Sequence, residues 1–126
     1  MLSHCKVGAI VFFVLDLARS VAFYRDTLGL PIEVVPGHDG DFATGEVGEL
    51  SLVFLVQDAP PGKSPVVVFS LKGGIDDYAE ALAARGVEIV VPVSESPDGG
   101  LSLDFADPDH NLLSLHQGPD LPRRNG

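Results

Sequence analysis

Ser102, Asp104, Ser114 and His116 are the residues of this chain whose types and spacing best suit chemistry at one place. They fall in two short runs, 100–105 and 112–116, in which leucine and phenylalanine alternate with polar residues. Successive side chains of an extended strand point to opposite faces. Leu101, Leu103, Phe105, Leu113 and Leu115 then share one face, as packing under a helix requires, and Ser102, Asp104, Ser114 and His116 share the other. Two hydroxyls, a carboxylate and an imidazole can orient a polar ligand. Asp104 or His116 could also serve as a general base, the histidine because its charge changes near neutral pH. The remaining histidines, His4 near the terminus, His38 in a turn and His110 in another, read as solvated.

The elements that must position these groups follow from patterning. Residues 6–15 are β-branched and aromatic and predict a buried strand. Asp16 stands where a helix N-cap belongs. Leu17, Val21, Tyr24 and Leu28 follow as one apolar stripe, and Gly29 is placed to end the helix in a left-handed conformation. Strands follow over 31–35, 41–47 and 50–56, with a turn at 37–40. Residues 58–64 hold two prolines and a glycine and form a linker. The order then repeats: strand 65–71, helix 75–85 stopped by Gly86, and strands 87–93, 100–105 and 112–116, the last entered through a turn at 107–111.

A shift of 57 positions sets Ala9 on Val66, Phe12 on Phe69, Gly29 on Gly86 and Ile32 on Ile89. The fold class is therefore α+β. One domain, 1–126, is built from two βαβββ modules, 5–57 and 65–117, that form a curved mixed β-sheet cup with helices outside, followed by a polar, fraying tail over 118–126. Alternation puts Val7, Ala9, Val11 and Phe13 on one face of their strand and Leu50, Leu52 and Phe54 on one face of theirs, and the family resemblance given below implies that these faces line the cup. The cup is then apolar on one side and polar on the other, the makeup of a small-molecule pocket. The candidate ligand-binding residues are Phe13, Leu52, Phe54, Asp104, Ser114 and His116.

Composition narrows the function classes. A length of 126 residues suits one domain, and an apolar content of 45% suits a globular one. Eight basic against 18 acidic residues give a net charge of −10, spread over both halves. Such a field repels nucleic acid and anionic membrane and attracts cations. Cys5 is the only cysteine, so no intrachain disulfide can form. The apolar run 7–15 is interrupted at Asp16 and Arg19 and is too short to span a bilayer. The expectation is a cytoplasmic protein with no nucleic-acid or membrane partner.

Two stretches carry a resemblance. One is Asp16-Leu17, Arg19-Ser20 and Phe23-Tyr24-Arg25-Asp26-Thr27-Leu28-Gly29-Leu30. The other is Asp107-Pro-Asp-His-Asn-Leu-Leu-Ser-Leu-His116. Together they resemble the signatures of the vicinal-oxygen-chelate superfamily of glyoxalases, extradiol dioxygenases and bleomycin-resistance proteins. The usual closing hairpin is Asp-Pro-Asp-Gly-Asn, two apolar residues and a metal-binding Glu. Here the Gly is His110 and the Glu position is Ser114. On the same resemblance the other metal positions fall on Ala9, on Val66 through the repeat, and on Leu52, or Ser51 if the register shifts by one. None offers imidazole or carboxylate, the donors such ions prefer.

The resemblance thus implies a member that holds no metal and no cofactor. It would be a metal-independent binder of a small molecule, cationic or aromatic, akin to antibiotic- or metabolite-sequestering members, and a homodimer. The chain has no tryptophan, which departs from the drug-stacking pattern of bleomycin binders. The alternative is a glyoxalase- or dioxygenase-like enzyme, a lyase or isomerase. It would use atypical metal ligands such as Asp104 and His116, or one of these as a metal-free acid or base.

Overall fold

The computed structural model describes residues 1–27, 29–58, 63–106 and 112–125. Leu28 and the expected turn 107–111, with His110, lie outside them. Two βαβββ units are present. The first comprises β1 (Lys6–Val14), α1 (Leu17–Val21) with a π-helical continuation (Ala22–Thr27), β2 (Glu33–Gly37), β3 (Gly40–Val47) and β4 (Leu50–Val56). The second comprises β5 (Val66–Leu71), α2 (Ile75–Ala84), β6 (Glu88–Glu95), β7 (Leu101–Ala106) and β8 (Leu112–Gln117). All eight strands form one sheet, ordered β2-β3-β4-β1-β5-β8-β7-β6.

The modules join edge to edge. β1 runs antiparallel to β5, with Ala9 opposite Val68 and Val11 opposite Val66. That pairing is symmetric under the shift of 57, so the sequence repeat is a two-fold relation in space. Within each module the first strand pairs in parallel with the last, β1 with β4 and β5 with β8.

Local chemistry explains the ends of the helices. The Asp16 carboxylate accepts from the Arg19 N–H at 3.0 Å and caps α1. Gly29 and Gly86 both take left-handed φ, +76° and +75°, which a side chain would resist. The first helix departs from the single α-helix its stripe predicts. It widens into a π-helical turn after Val21, and Leu30 N–H reaches back to the Tyr24 carbonyl. Tyr24 is thereby held against Phe12 and Phe54, with ring centroids 5.6 and 4.6 Å apart, while Phe23 stays exposed.

The helices cover the convex face and make two cores. One gathers Val21, Ile32, Ala43 and Phe54 under α1, and the other Leu71, Ile75, Leu82, Leu103, Phe105 and Leu115 under α2. The apolar half of the β7–β8 alternation therefore lies where patterning put it.

Two expectations are corrected here. Leu52 and Phe54 do not face the cup but pack in the α1 core, Phe54 only 1% exposed. Parallel pairing sets Phe54 beside Phe12 and Leu52 beside Ile10. A slip of one residue sends every side chain of a strand to the other face. The second correction concerns the tail, expected to fray. Gln117 is 1% exposed, and the described residues after it pack against the start of α2. Gly74 precedes α2 with no side chain to cap it. Gln117 Oε1 instead accepts from Ile75 N–H at 3.0 Å, and the Pro122 and Arg123 carbonyls accept from Gly74 and Asp76 N–H at 2.7 and 3.0 Å. Arg123 pairs with Asp76, and Arg124 with Asp77 and Glu80.

Candidate functional site

The concave face encloses a cavity of about 810 Å³. Its floor comes from the four central strands, with Ala9, Val11 and Phe13 of β1, Ser51, Val53 and Leu55 of β4, Val66 and Val68 of β5, and Ser114 and His116 of β8. Ser102 and Asp104 of β7 complete one wall, and Phe42 and Thr44 of β3 the other. Of the six residues proposed from sequence, the structure brings together Phe13, Asp104, Ser114 and His116. Leu52 and Phe54 are replaced by their neighbours Ser51, Val53 and Leu55. β4 is apolar on both faces, so its own alternation could not set its register; its parallel pairing with β1 does.

The two halves of the cavity differ in chemistry. The first module presents aliphatic and aromatic surface. The second adds Val66, Val68, Val90, Val91 and Leu112 but gathers the polar groups Ser102, Asp104, Ser114 and His116 along β7 and β8. Asp104 stands directly opposite Ser114, and Ser102 opposite His116. The buried Ser114 hydroxyl oxygen lies 3.2 Å from the Leu103 carbonyl. Burial pushes the Asp104 carboxyl above the usual carboxylate range, and a hydrogen bond from Ser114 offsets part of that shift.

Asp98 is the residue that sequence reasoning missed. It lies in the loop between β6 and β7, and its carboxylate accepts from Ser96 Oγ at 2.7 Å, Gly100 N–H at 2.8 Å and His116 Nε2 at 2.9 Å. Burial opposes its charge, but these three donors outweigh burial and hold Asp98 below the usual range. The Ser-x-Asp-Gly-Gly run was the available signal, since such residues form side-chain-capped turns. A Cβ at Gly100 would strike the Gln117 carbonyl oxygen and come within 3.1 Å of both Asp98 Oδ1 and His116 Nε2. Glycine is what lets this loop close on His116.

At the mouth, the β2–β3 turn reaches the second module. His38 Nδ1 lies 3.1 Å from Glu95 Oε1, and a smaller hollow of about 480 Å³ opens there between Phe42, Pro97 and Asp98. His38 is exposed, as expected, but not unpartnered. Phe13 N–H donates to Ser64 Oγ at 3.0 Å, which ties the end of the linker to β1.

The donor set decides how well a metal would fit. The positions that the resemblance assigns to ligands carry methyl, isopropyl and hydroxyl groups: Ala9, Val66, Ser51 and Ser114 line the cavity, and Leu52 is in the core. These do not fit a divalent ion, which needs imidazole or carboxylate.

The opposed pKa shifts give a prediction. A carboxyl whose folded pKa is raised lets the native state hold its proton longer. Its contribution to stability therefore falls as pH rises from the unfolded value, about 3.9, through the folded one. Asp104→Asn should then be at least as stable as the parent at neutral pH, with the difference vanishing in acid. Asp98→Asn should lose stability above the unfolded pKa, a loss that fades as pH falls through the folded one. Urea melts from pH 3 to 8 check both signs.

Comparison with known proteins agrees with this architecture. Residues 6–115 match the family model described as Glyoxalase/Bleomycin resistance protein/Dioxygenase superfamily. No curated protein compared with the chain matches it. Among solved structures, a hypothetical protein from Bacillus halodurans shares 15% identity over 94% of this chain and 97% of its own, with a TM-score of 0.72. A Streptomyces coelicolor methylmalonyl-CoA epimerase variant in complex with 2-nitronate-propionyl-CoA shares 16% over 92% and 96%, with a TM-score of 0.71. Methylmalonyl-CoA epimerase from Mycobacterium tuberculosis shares 16% over 94% and 93%, with a TM-score of 0.67. At these identities the structures speak for the fold. The family model spans nearly the whole chain, and the chain belongs to the glyoxalase, bleomycin resistance protein and dioxygenase superfamily.

Proposed function

We propose that this protein is a metal-independent member of its superfamily that binds a small molecule in the cup, a cationic or polar aromatic compound such as an antibiotic or metabolite held in sequestered form. The observation that carries the reading is the two-sided cavity. Phe13, Val11, Val53 and Leu55 offer apolar area to a ring or chain, and Asp104 offers a half-buried carboxylate among hydroxyls to its polar end. A cationic group set against Asp104 restores the solvation that burial removes, so binding and the raised pKa share one cause. The net charge of −10 adds long-range attraction of the same sign. The donor-poor metal positions support metal independence.

A panel of planar amines and neutral analogues of matched shape tests the reading by calorimetry in the presence of chelator. The expected result is binding of the amine that weakens about tenfold or more in Asp104→Asn, the loss of one charge-assisted hydrogen bond. Binding that appears only after a divalent ion is added would reject metal independence. No binding by any aromatic or cationic compound would reject the sequestration reading. A homodimer in the cytoplasm belongs to the same proposal, and light scattering on the purified protein measures the first part.

No helix among the described residues is long and apolar enough to cross a membrane.

A further inference from the structure

The cavity carries opposite charges at its two ends. Asp104, Ser114, Val68 and Ala9 lie on one row across β7, β8, β5 and β1, each opposite the next. Phe13 is four residues along β1 from Ala9, about 13 Å in an extended strand. Its N–H donates to Ser64 Oγ, and this bond also fixes the residue before Ser64, which is Lys63. Lys63 is half-buried and is, among the described residues, the one lysine or arginine that lines the cavity. The chain holds 18 acidic residues, yet none forms an ion pair with Lys63 among the described residues. Asp58, at the same end, is exposed and unpaired with it. Between the two ends, Val11 stands beside Val53 and Val66 and makes the middle apolar. A half-buried ammonium has lost part of its hydration and is stabilised by meeting an anion.

We propose that Lys63 is the anion-recognising end of the cup and that the ligand is an elongated zwitterion. Its ammonium group sits at Asp104, its apolar or aromatic middle on Val11 and Phe13, and its carboxylate at Lys63. This rests on the reading of Asp104 as the seat of a cationic group and adds the second charge and the distance between them. Both charges serve selection. A simple cation of the same length leaves Lys63 against an apolar group. A simple anion meets the Asp104 carboxyl and a protein field of net charge −10. A zwitterion satisfies both ends and carries no net charge for that field to repel.

The probe is 4′-(aminomethyl)biphenyl-4-carboxylic acid, a stiff rod with an amine at one end and a carboxylate at the other, and its neutral match is the corresponding carboxamide. Titration calorimetry on the full chain should show the acid binding about tenfold more tightly than the amide, the share of one charge-assisted hydrogen bond. Lys63→Met should remove that preference by lowering affinity for the acid alone, and unchanged binding of the amide shows that the cup is intact. Lys63→Arg should keep the preference, and added salt should narrow it. Asp104→Asn should weaken acid and amide alike. Equal binding of acid and amide by the parent would overturn the proposal and leave the Asp104 reading in place. So would a preference for the acid that survives Lys63→Met. Binding of neither probe would overturn both.

Discussion

Phe54→Ala should destabilise the protein by about 4 kcal/mol, the range for deleting a buried aromatic ring. It should lower the melting temperature by roughly 15 °C for a domain of this size. The ring is 1% exposed, stacks on Phe12 at a centroid distance of 5.3 Å and meets Tyr24 at 4.6 Å. Its removal leaves a hole between β4 and the π-helical turn that backbone hydrogen bonds prevent from closing. Phe13→Ala, one residue after Phe12 and on the other face, should behave in the opposite way. Phe13 is half-buried on the cavity wall, so its loss should cost stability little and ligand affinity much. Urea unfolding of both variants, with binding measured on the same samples, separates the two faces of the sheet. If Phe54→Ala spared stability and abolished binding, Phe54 would belong to the cup after all.

That pair of residues also marks the limit of what sequence could resolve. β7 and β8 were legible because polar and apolar residues alternate over 101–105 and 113–116, so Ser102, Asp104, Ser114 and His116 could be assigned to one face without any partner strand. β4 reads Leu-Ser-Leu-Val-Phe-Leu-Val, apolar on both faces, since one side lies under a helix and the other floors the cavity. Nothing local distinguishes those sides. The choice is made by pairing with β1, a contact 42 residues away in the chain. The repeat was legible because glycine at a left-handed helix end is a local demand, met at both Gly29 and Gly86.

Asp98 was not legible as a site residue. Its role depends on His116, a strand and a loop later in the chain, and its own surroundings read only as a turn. The internal repeat likewise gave two βαβββ modules, but not that β1 and β5 are the strands that join them. Nor did it give the contact of the β2–β3 turn with the second module, where among the described residues His38 meets Glu95.

The tail shows the same limit in a form that can be measured. Polarity after His116 suggested exposure, yet Gln117 is buried and bonded across 42 positions to the first turn of α2. Gln117→Ala should cost about 3 kcal/mol, because it leaves the buried Ile75 N–H without an acceptor and also removes the donor to the Leu121 carbonyl at 3.1 Å. The loss should exceed that of truncating the chain after Pro119, which deletes the tail carbonyls and the arginine pairs but keeps the cap on Ile75. Those pairs, Arg123 with Asp76 and Arg124 with Glu80, are solvent-exposed and screened by salt, so they hold the tail in place more than they stabilise the fold. Gln117→Glu discriminates further. A carboxylate still accepts from Ile75 N–H but faces the Leu121 and Pro122 carbonyls with no proton to donate. It should therefore keep much of the helix cap while releasing the tail, seen as faster amide exchange at Gly74 and Asp76 with little change at Ile75. Equal protection at all three amides in that variant would mean that the tail docks without Gln117.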